Sequence, residues 1–298
     1  MQPTVGLDTG GGATCSSSRS GNGSSTLPPP FSIGEVSVRL QAFADELRCG
    51  CEDVTGFEVW RPATSAACRC LLAEADALVR KRNVLELGCG LGALGVACGL
   101  LGAAHVVLSD RESAVLGLAR QNAEANGVSN RCDFVVVDFA KGRPPFRAGA
   151  FDLQVASDVL FLDRLARPLL RTFEALASDV GECGRSSSGA AGGGRSRPAA
   201  FVVVGHEVRR AVFRGPDGQP QIEEQDSALS LFLDLATSTG AEVEVPIDDR
   251  AADGSTHGSQ AVAVVLRWPG PCDDPAAVGE GMAQDKDTKR RRLETTAV

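Results

Sequence analysis

A glycine-rich segment that follows an acid is the part of this sequence with the clearest chemical meaning. From position 83 the chain reads Asn-Val-Leu-Glu-Leu-Gly-Cys-Gly-Leu-Gly-Ala-Leu-Gly, so an apolar run carries Glu86 directly into closely spaced glycines, which are Gly88, Gly90, Gly92 and Gly95. Glycine lets the backbone turn tightly and approach a ligand where a Cβ atom would clash. A second apolar run ends at Asp110, where a carboxylate can accept hydrogen bonds from ribose hydroxyls. These residues predict a site for an adenosine-containing cofactor.

The acid before the glycines helps to choose between two classes of cofactor. Gly90, Gly92 and Gly95, followed by Asp110, also fit the spacing of a dinucleotide-binding turn, but a single match of this kind is a weak signal. The carboxylate of Glu86 would repel a pyrophosphate and attract the cationic methionine part of S-adenosyl-L-methionine. We therefore expect S-adenosyl-L-methionine, and keep as alternatives a nicotinamide dinucleotide and a turn that binds nothing.

The elements that must position these residues alternate between strand and helix. Strands are predicted at 83–87, 104–109, 133–138, 151–157, 200–205, 241–246 and 260–267. Helices are predicted at 92–101 and 112–126, from Pro168 to Leu176, and at 226–239. Short strands, the last of them at 57–60, and a helix from Trp60 to Val79 precede the glycine segment. The pattern predicts an α/β fold with a seven-stranded Rossmann-like sheet, helices on both faces and an antiparallel hairpin at one edge.

The composition of the chain predicts its domain organisation. Residues 1–30 and 270–298 are polar tails, and residues 181–199 are rich in Gly, Ser, Ala and Arg. Such segments bury too little apolar surface to order themselves, so we expect disordered tails and a flexible insertion. One domain over 31–269 would remain.

Net charge and cysteine usage bear on partners and location. A net charge of −8 makes nucleic acid a poor partner, and no apolar run is long enough to cross a membrane. The ten cysteines are scattered, which is typical of reduced thiols in the cytoplasm, and no cysteine pair has the usual zinc spacing, so we expect no metal site. Lys289 to Arg292 form a basic cluster that leaves a nuclear location open. We expect a monomer, although no residue pattern fixes the oligomeric state.

Two further acids follow predicted strands on the side where ligands bind in such sheets. Asp138 ends the third strand of the sheet, where it can contact a ligand or simply cap the strand. Asp158 ends the fourth strand and begins the sequence Asp-Val-Leu-Phe, which closes at Phe161. A carboxylate at Asp158 could orient an amine, and the ring of Phe161 could form one wall of a channel for methyl transfer.

Four segments in order carry a resemblance to a known family: Val-Trp-Arg-Pro-Ala at 59–63, the glycine segment, Ala-Ser-Asp-Val-Leu-Phe at 156–161 and His-Glu-Val-Arg-Arg at 206–210. Over about residues 50–267 the chain resembles the methyltransferase-like family 16 group of class I S-adenosylmethionine-dependent methyltransferases, which are protein lysine methyltransferases. The resemblance implies that Asp158 and Phe161 are catalytic. It implies cofactor contacts from Trp60, Glu86, Gly88, Gly90, Gly92, Asp110, Asp138, Phe139 and Ser157.

The chain also departs from the family pattern. Phe161 stands where a tyrosine is usual, and the chain has no tyrosine, so no phenolic hydroxyl can assist catalysis. Phe139 stands near the place of a common tryptophan. Glu207 could complement a lysine ammonium, whereas we expect Arg209 and Arg210 to be surface charges and His206 to have an equal chance of a structural or a functional role.

The expected function is transfer of a methyl group from S-adenosyl-L-methionine to a lysine side chain of a protein substrate. The alternatives are a methyltransferase for a small molecule or a nucleic acid, and a catalytically silent module that binds the cofactor.

Overall fold

The computed structural model describes residues 30–40, 55–142, 144–177, 201–210, 212–214, 216, 219–223, 225–248 and 260–268. The expectations for the two tails and for the insertion at 181–199 fall outside these residues, apart from position 30. Among the helices described, none combines the length and the apolar character that crossing a membrane requires.

Strands and helices alternate through most of the chain. The elements in chain order are β1 (Phe31–Ile33), β2 (Val36–Val38), α1 (Arg61–Ala73), α2 (Ala75–Leu78), β3 (Asn83–Leu87), α3 (Ala93–Leu100), β4 (His105–Asp110), α4 (Ser113–Ala125), β5 (Cys132–Val136), β6 (Leu153–Ser157), α5 (Asp163–Ala177), β7 (Phe201–Glu207), β8 (Val212–Arg214), β9 (Pro220–Ile222), α6 (Ser227–Ser238), β10 (Glu242–Asp248) and β11 (Ala261–Arg267).

The main sheet confirms the predicted fold class. Its seven strands lie in the order β10-β11-β7-β6-β3-β4-β5. The pairs among β3, β4, β5, β6 and β7 are parallel, and β11 runs antiparallel to both β7 and β10. The last two strands therefore form the expected antiparallel hairpin at one edge. The chain order reverses direction between β3 and β6, which creates a crevice at the carboxyl ends of the parallel strands.

Side chains alternate along the buried strands, so they contribute to two apolar layers, one on each face of the sheet. Val84 of β3 packs in the layer with α1, α3 and α4, whereas Leu85 and Leu87 pack in the layer with α5 and α6. Helices thus cover both faces, as predicted. Because side chains alternate along a strand, Glu86 points to the same face as Val84 and faces α3.

Several local predictions were wrong. Residues 57–60 do not form a strand: a 3₁₀ turn spans Thr55–Phe57, and the helix predicted through Val79 is divided into α1 and α2. Helix α5 begins at Asp163 instead of Pro168, so this proline lies inside the helix. Proline removes one helical hydrogen bond, and burial of Leu169 and Phe173 against the sheet offsets that loss. The small antiparallel pair β8 and β9 was not predicted.

Candidate functional site

The loop between β3 and α3 needs its glycines for conformation and for close approach. Gly88 and Gly90 have φ angles of 66° and 51°, in the left-handed region that favours glycine. A Cβ atom at Gly88 would lie 2.7 Å from Val159, and one at Gly90 would lie 3.1 Å from the carbonyl oxygen of Gly56. The loop therefore presents its bare backbone to the crevice.

A cavity lies against this loop at the carboxyl ends of the parallel strands. It brings together ten of the eleven site residues that the sequence predicted: Trp60, Glu86, Gly88, Gly90, Asp110, Asp138, Phe139, Ser157, Asp158 and Phe161. These residues come from five parts of the chain that are distant in sequence. Their assembly at one cavity is consistent with a single binding site.

Gly92 is the predicted residue that does not line this cavity. It precedes α3 with a φ of 76°, and a Cβ atom there would lie 2.8 Å from Leu108 and 3.1 Å from Ala119. This glycine lets α3 pack closely on β4 and α4, which is a packing role that the spacing of the glycines alone does not distinguish from a ligand contact.

Glu86 is buried at the base of the loop. Its Oε2 accepts a hydrogen bond of 2.8 Å from the backbone N–H of Gly95, and a Cβ atom at Gly95 would lie 2.5 Å from the same oxygen. Burial raises the pKa of Glu86 to about 8, with Asp110 adding to the rise and the bond from Gly95 opposing it. A cation in the cavity would lower this pKa and favour the charged carboxylate.

Asp110 holds the loop in place as well as lining the cavity. Its Oδ2 accepts from the N–H of Gly90 at 3.0 Å, and its Oδ1 accepts from the N–H of Glu112 at 3.1 Å. Burial raises its pKa, although these two bonds oppose the rise. Each carboxylate oxygen can accept more than one hydrogen bond, so Asp110 keeps the capacity to accept from a ribose hydroxyl.

The opposite wall of the cavity comes from the start of α1 and the end of β6. Trp60 is 37% exposed, and its Nε1–H donates to the carbonyl oxygen of Thr55 at 3.1 Å. The hydroxyls of Thr64 and Ser157 are 2.8 Å apart, so α1 is tied to the end of β6. These contacts fix the tryptophan ring at the rim of the cavity.

Asp138 and Phe139, which follow β5, form a third side of the cavity. The Oδ1 of Asp138 accepts from the N–H of Ala140 at 3.0 Å, and its Oδ2 lies 3.3 Å from Nζ of Lys141. The sequence left two readings open for Asp138, a ligand contact or a cap. The carboxylate does cap the turn, and it lines the cavity as well.

Asp158 directly follows β6 and has an unusual backbone conformation. It is buried and has a φ of 57°, which is uncommon for a residue other than glycine. Both of its carboxylate oxygens accept from Arg209, with Nη1 to Oδ1 at 2.7 Å and Nη2 to Oδ2 at 2.5 Å. Phe161, three residues later in the chain, is 40% exposed and lines the same cavity.

Arg209 is more than the surface charge that the sequence predicted, because its half-buried side chain pairs with two carboxylates. Besides Asp158 it contacts Oε2 of Glu207 at 3.4 Å, and its guanidinium lies 5.4 Å from the centre of the Trp60 ring. Burial alone would lower the pKa of Arg209, but Asp158 raises it overall. Arg209 could have been located from its position just after β7, because β7 pairs with β6 in the sheet.

His206 is buried and lies next to a carboxylate. It is completely buried, and its Nε2 lies 2.9 Å from Oδ2 of Asp226, the residue that caps the N-terminus of α6. Among the described residues, no group of three or more histidine, cysteine or acidic side chains is arranged to hold a metal ion.

The cavity fits S-adenosyl-L-methionine on the geometry of this chain. The bare backbone of the glycine loop gives close approach, Asp110 offers acceptors for a ribose, and Glu86 offers an anion to the methionine part of the cofactor. A pyrophosphate would meet the two carboxylates of Glu86 and Asp110, which disfavours a dinucleotide.

Comparison with known proteins finds similarity to one family of enzymes. Residues 46–183 match the family described as lysine methyltransferase. The chain is 23% identical over 256 residues to "Protein N-terminal and lysine N-methyltransferase EFM7" of Cryptococcus neoformans var. neoformans (strain B-3501A), covering 80% of this chain and 84% of the relative. It is 30% identical over 152 residues to "Protein N-lysine methyltransferase METTL21A" of Danio rerio, covering 50% and 65%.

The chain also aligns with the solved structure of an S-adenosylmethionine-dependent methyltransferase from Mesorhizobium loti. It aligns with a TM-score of 0.46 and 19% sequence identity, covering 69% of this chain and 97% of that chain. The family match at 46–183 includes the glycine loop, Asp158 and Phe161, and it ends before Glu207 and Arg209.

Proposed function

We propose that this chain, an S-adenosylmethionine-dependent methyltransferase whose residues 46–183 belong to the lysine methyltransferase family, methylates the ε-amino group of a lysine in a protein substrate. The observation that carries the proposal is a buried carboxylate, Asp158, on the wall of the cofactor cavity beside the exposed ring of Phe161. An anion at the mouth of such a cavity selects for a cationic side chain. The names of the two relatives above also support an amino group of a protein as the acceptor.

The reaction needs an amine that approaches in line with the methyl group. When bound, S-adenosyl-L-methionine would supply a methyl group on a sulfonium; the amine lone pair would form the new N–C bond, and the electron pair of the broken C–S bond would stay on sulfur. The chain's contribution is to align the two partners and to exclude water. The glycine loop and Asp110 would hold one partner, and the side of the cavity formed by Asp158 would receive the other.

The charges at the acceptor side favour an amine over other groups. Two carboxylates, Asp158 and Glu207, share one guanidinium, that of Arg209. One negative charge is left over, which attracts a lysine ammonium to the rim. The rings of Trp60 and Phe161 then offer an apolar passage, where loss of a proton to water is favoured because a desolvated ammonium is costly.

The α-amino group of a protein N-terminus is a second candidate acceptor. The relative from Cryptococcus neoformans is named for both N-terminal and lysine methylation. Both groups are amines on a protein and would meet the same carboxylates, so the products must be distinguished chemically.

We also propose that the protein acts in the cytoplasm. Cys68, Cys70, Cys89, Cys98 and Cys132 are buried and unpaired with one another, which is typical of a reducing compartment. Imaging of the tagged protein tests this: a signal confined to a membrane-bound secretory compartment would contradict it.

A labelling experiment tests the proposed reaction. The protein is mixed with S-adenosyl-L-methionine labelled in the methyl group and with a cell extract whose own methyltransferases have been inactivated by heat. We expect label in protein and, after acid hydrolysis, in methylated lysine. Gly90→Val, which should not bind the cofactor, is the matched negative control. Label that appears only in small molecules or in nucleic acid would contradict the proposal.

A further inference from the structure

We propose that Arg209 is a positioning residue that holds the Asp158 carboxylate in the orientation needed to receive the substrate amine. This inference rests on the proposed function, because it assigns a role at the acceptor side of the same cavity. Arg209 lies beyond the segment that matches the family, and it does not line the cofactor cavity itself.

Asp158 needs a partner to hold its conformation. Its φ of 57° is a strained value for a residue with a side chain, and such residues persist only when their surroundings fix them. The two parallel hydrogen bonds from Arg209 fix both carboxylate oxygens in one plane. A bidentate pair of this kind defines direction as well as position, which a single lysine ammonium could not do.

Arg209 is itself held from several directions. Its backbone N–H donates to Oδ2 of Asp226 at 2.6 Å, and Asp226 also caps α6 and contacts the buried His206. Its Nη1 donates to the carbonyl oxygen of Glu207 at 3.2 Å, and the ring of Trp60 covers the guanidinium. The buried histidine and the helix cap therefore act as a rigid base for the arginine.

The arrangement also sets the charge that a substrate amine meets. Charged groups at this side of the cavity are Asp158 after β6, Glu207 at the end of β7, Arg209 after β7, and Glu58, which lines the cavity before α1. With Arg209 in place, the charge of Asp158 is balanced in part, so the carboxylate attracts and orients the ammonium without holding its proton strongly. The amine can then lose its proton, which it must do before its lone pair can attack the methyl group.

Removing the guanidinium should have an effect that simple unfolding would not produce. In Arg209→Ala, the unpaired Asp158 would attract the ammonium more strongly and raise the pKa of the bound amine. We expect kcat at neutral pH to fall by at least ~10-fold, while the KM for the protein substrate stays the same or decreases. The pH at which kcat reaches half its maximum should move upward.

The test uses the full chain and three variants: Arg209→Ala, Arg209→Lys and, as the matched control, Arg210→Ala. Arg210 is the exposed neighbour and carries the same charge. Steady-state rates are measured across pH with a protein substrate that the parent enzyme methylates, and affinity for S-adenosylhomocysteine is measured by calorimetry. We expect unchanged cofactor affinity in all three variants, an intermediate rate for Arg209→Lys and the parent rate for Arg210→Ala.

Three results would overturn the inference. These are an Arg209→Ala variant with the parent kcat and pH profile, equal losses in Arg209→Ala and Arg210→Ala, and a loss of rate that follows a loss of cofactor affinity. If Arg209→Ala does not fold, the Arg209→Lys variant tests the inference by itself. The parent rate in Arg209→Lys would show that the bidentate pair is not needed. A parent enzyme that methylates no amine at all would overturn the proposed function together with this one, whereas an active parent with an equally active Arg209→Ala would overturn only the role of Arg209.

Discussion

Replacing Glu86 by glutamine should make the protein more stable at alkaline pH and lower its affinity for the cofactor. The carboxylate has a folded-state pKa of about 8 against an ordinary value of 4.5, because it is buried. Its protonated form is therefore favoured in the folded protein. The stability that this gives is fully present below pH 4.5 and is lost progressively as the pH rises through 8.

The size of the effect follows from the shift. Each pKa unit corresponds to about 1.4 kcal/mol, so the parent loses on the order of 3 kcal/mol by pH 7 and on the order of 5 kcal/mol above pH 8. A typical protein is stabilised by roughly 5–15 kcal/mol in total, so this loss would be a large part of the stability. Glutamine keeps an oxygen that can accept from the N–H of Gly95 and carries no charge to desolvate. The stability of Glu86→Gln should therefore depend less on pH.

The assay combines stability and binding at two pH values. Urea unfolding at pH 6 and pH 8.5 should show Glu86→Gln gaining on the parent as the pH rises. Calorimetry with S-adenosylhomocysteine, whose ammonium group is cationic, should show similar affinities at pH 6 and about tenfold weaker binding by the variant at pH 8.5, where the parent carboxylate is charged. Equal affinities at both pH values would refute the assignment of Glu86 to the methionine part of the cofactor.

Other changes test the loop, the ribose site and the support of the acceptor side. Gly90→Val should abolish binding of S-adenosylhomocysteine in calorimetry and lower the melting temperature, because the residue has a φ of 51° and lies against the carbonyl oxygen of Gly56; Gly117→Ala, at a glycine with open space around it, should bind like the parent. Asp110→Ala should weaken the same affinity by about 1–3 kcal/mol and also destabilise the loop, since two backbone N–H groups lose their acceptor; a folded variant with the parent affinity would exclude Asp110 as the ribose acceptor. Asp226→Ala should lower the free energy of unfolding in urea by about 1–3 kcal/mol, because α6 loses its cap and His206 loses its partner. An unchanged unfolding midpoint would contradict these roles of Asp226.

Periodicity and glycine spacing were enough to predict the sheet, because each core strand is a short apolar run bounded by turn residues. Strand β3 and its loop were predicted at the right positions, and so was the edge hairpin of β10 and β11. The errors lie where tertiary packing overrides local preference. Residues 57–60 have β-favouring side chains, yet the chain there turns to place Phe57 in a small apolar cluster with Leu91 and Val115.

The sequence predicted candidate site residues one at a time, from side chains that could act directly on a ligand. Asp110 was predicted as a ribose acceptor, but its two hydrogen bonds to the loop depend on backbone N–H groups that no sequence pattern displays. Arg209 was missed for a related reason. Its partner Asp158 is 51 residues away in the chain, and the two meet only because β6 and β7 are neighbours in the sheet.

The rate of methyl transfer to a protein substrate by Asp158→Asn, compared with the parent, tests the central claim most directly. Asparagine has nearly the same shape and tolerates the left-handed conformation, so the fold should be kept while the charge is removed. We predict a fall in kcat of ~10²-fold or more with unchanged affinity for S-adenosylhomocysteine, because the carboxylate acts on the incoming amine. A variant that methylates the substrate at the parent rate would contradict the assignment of Asp158 to the acceptor side.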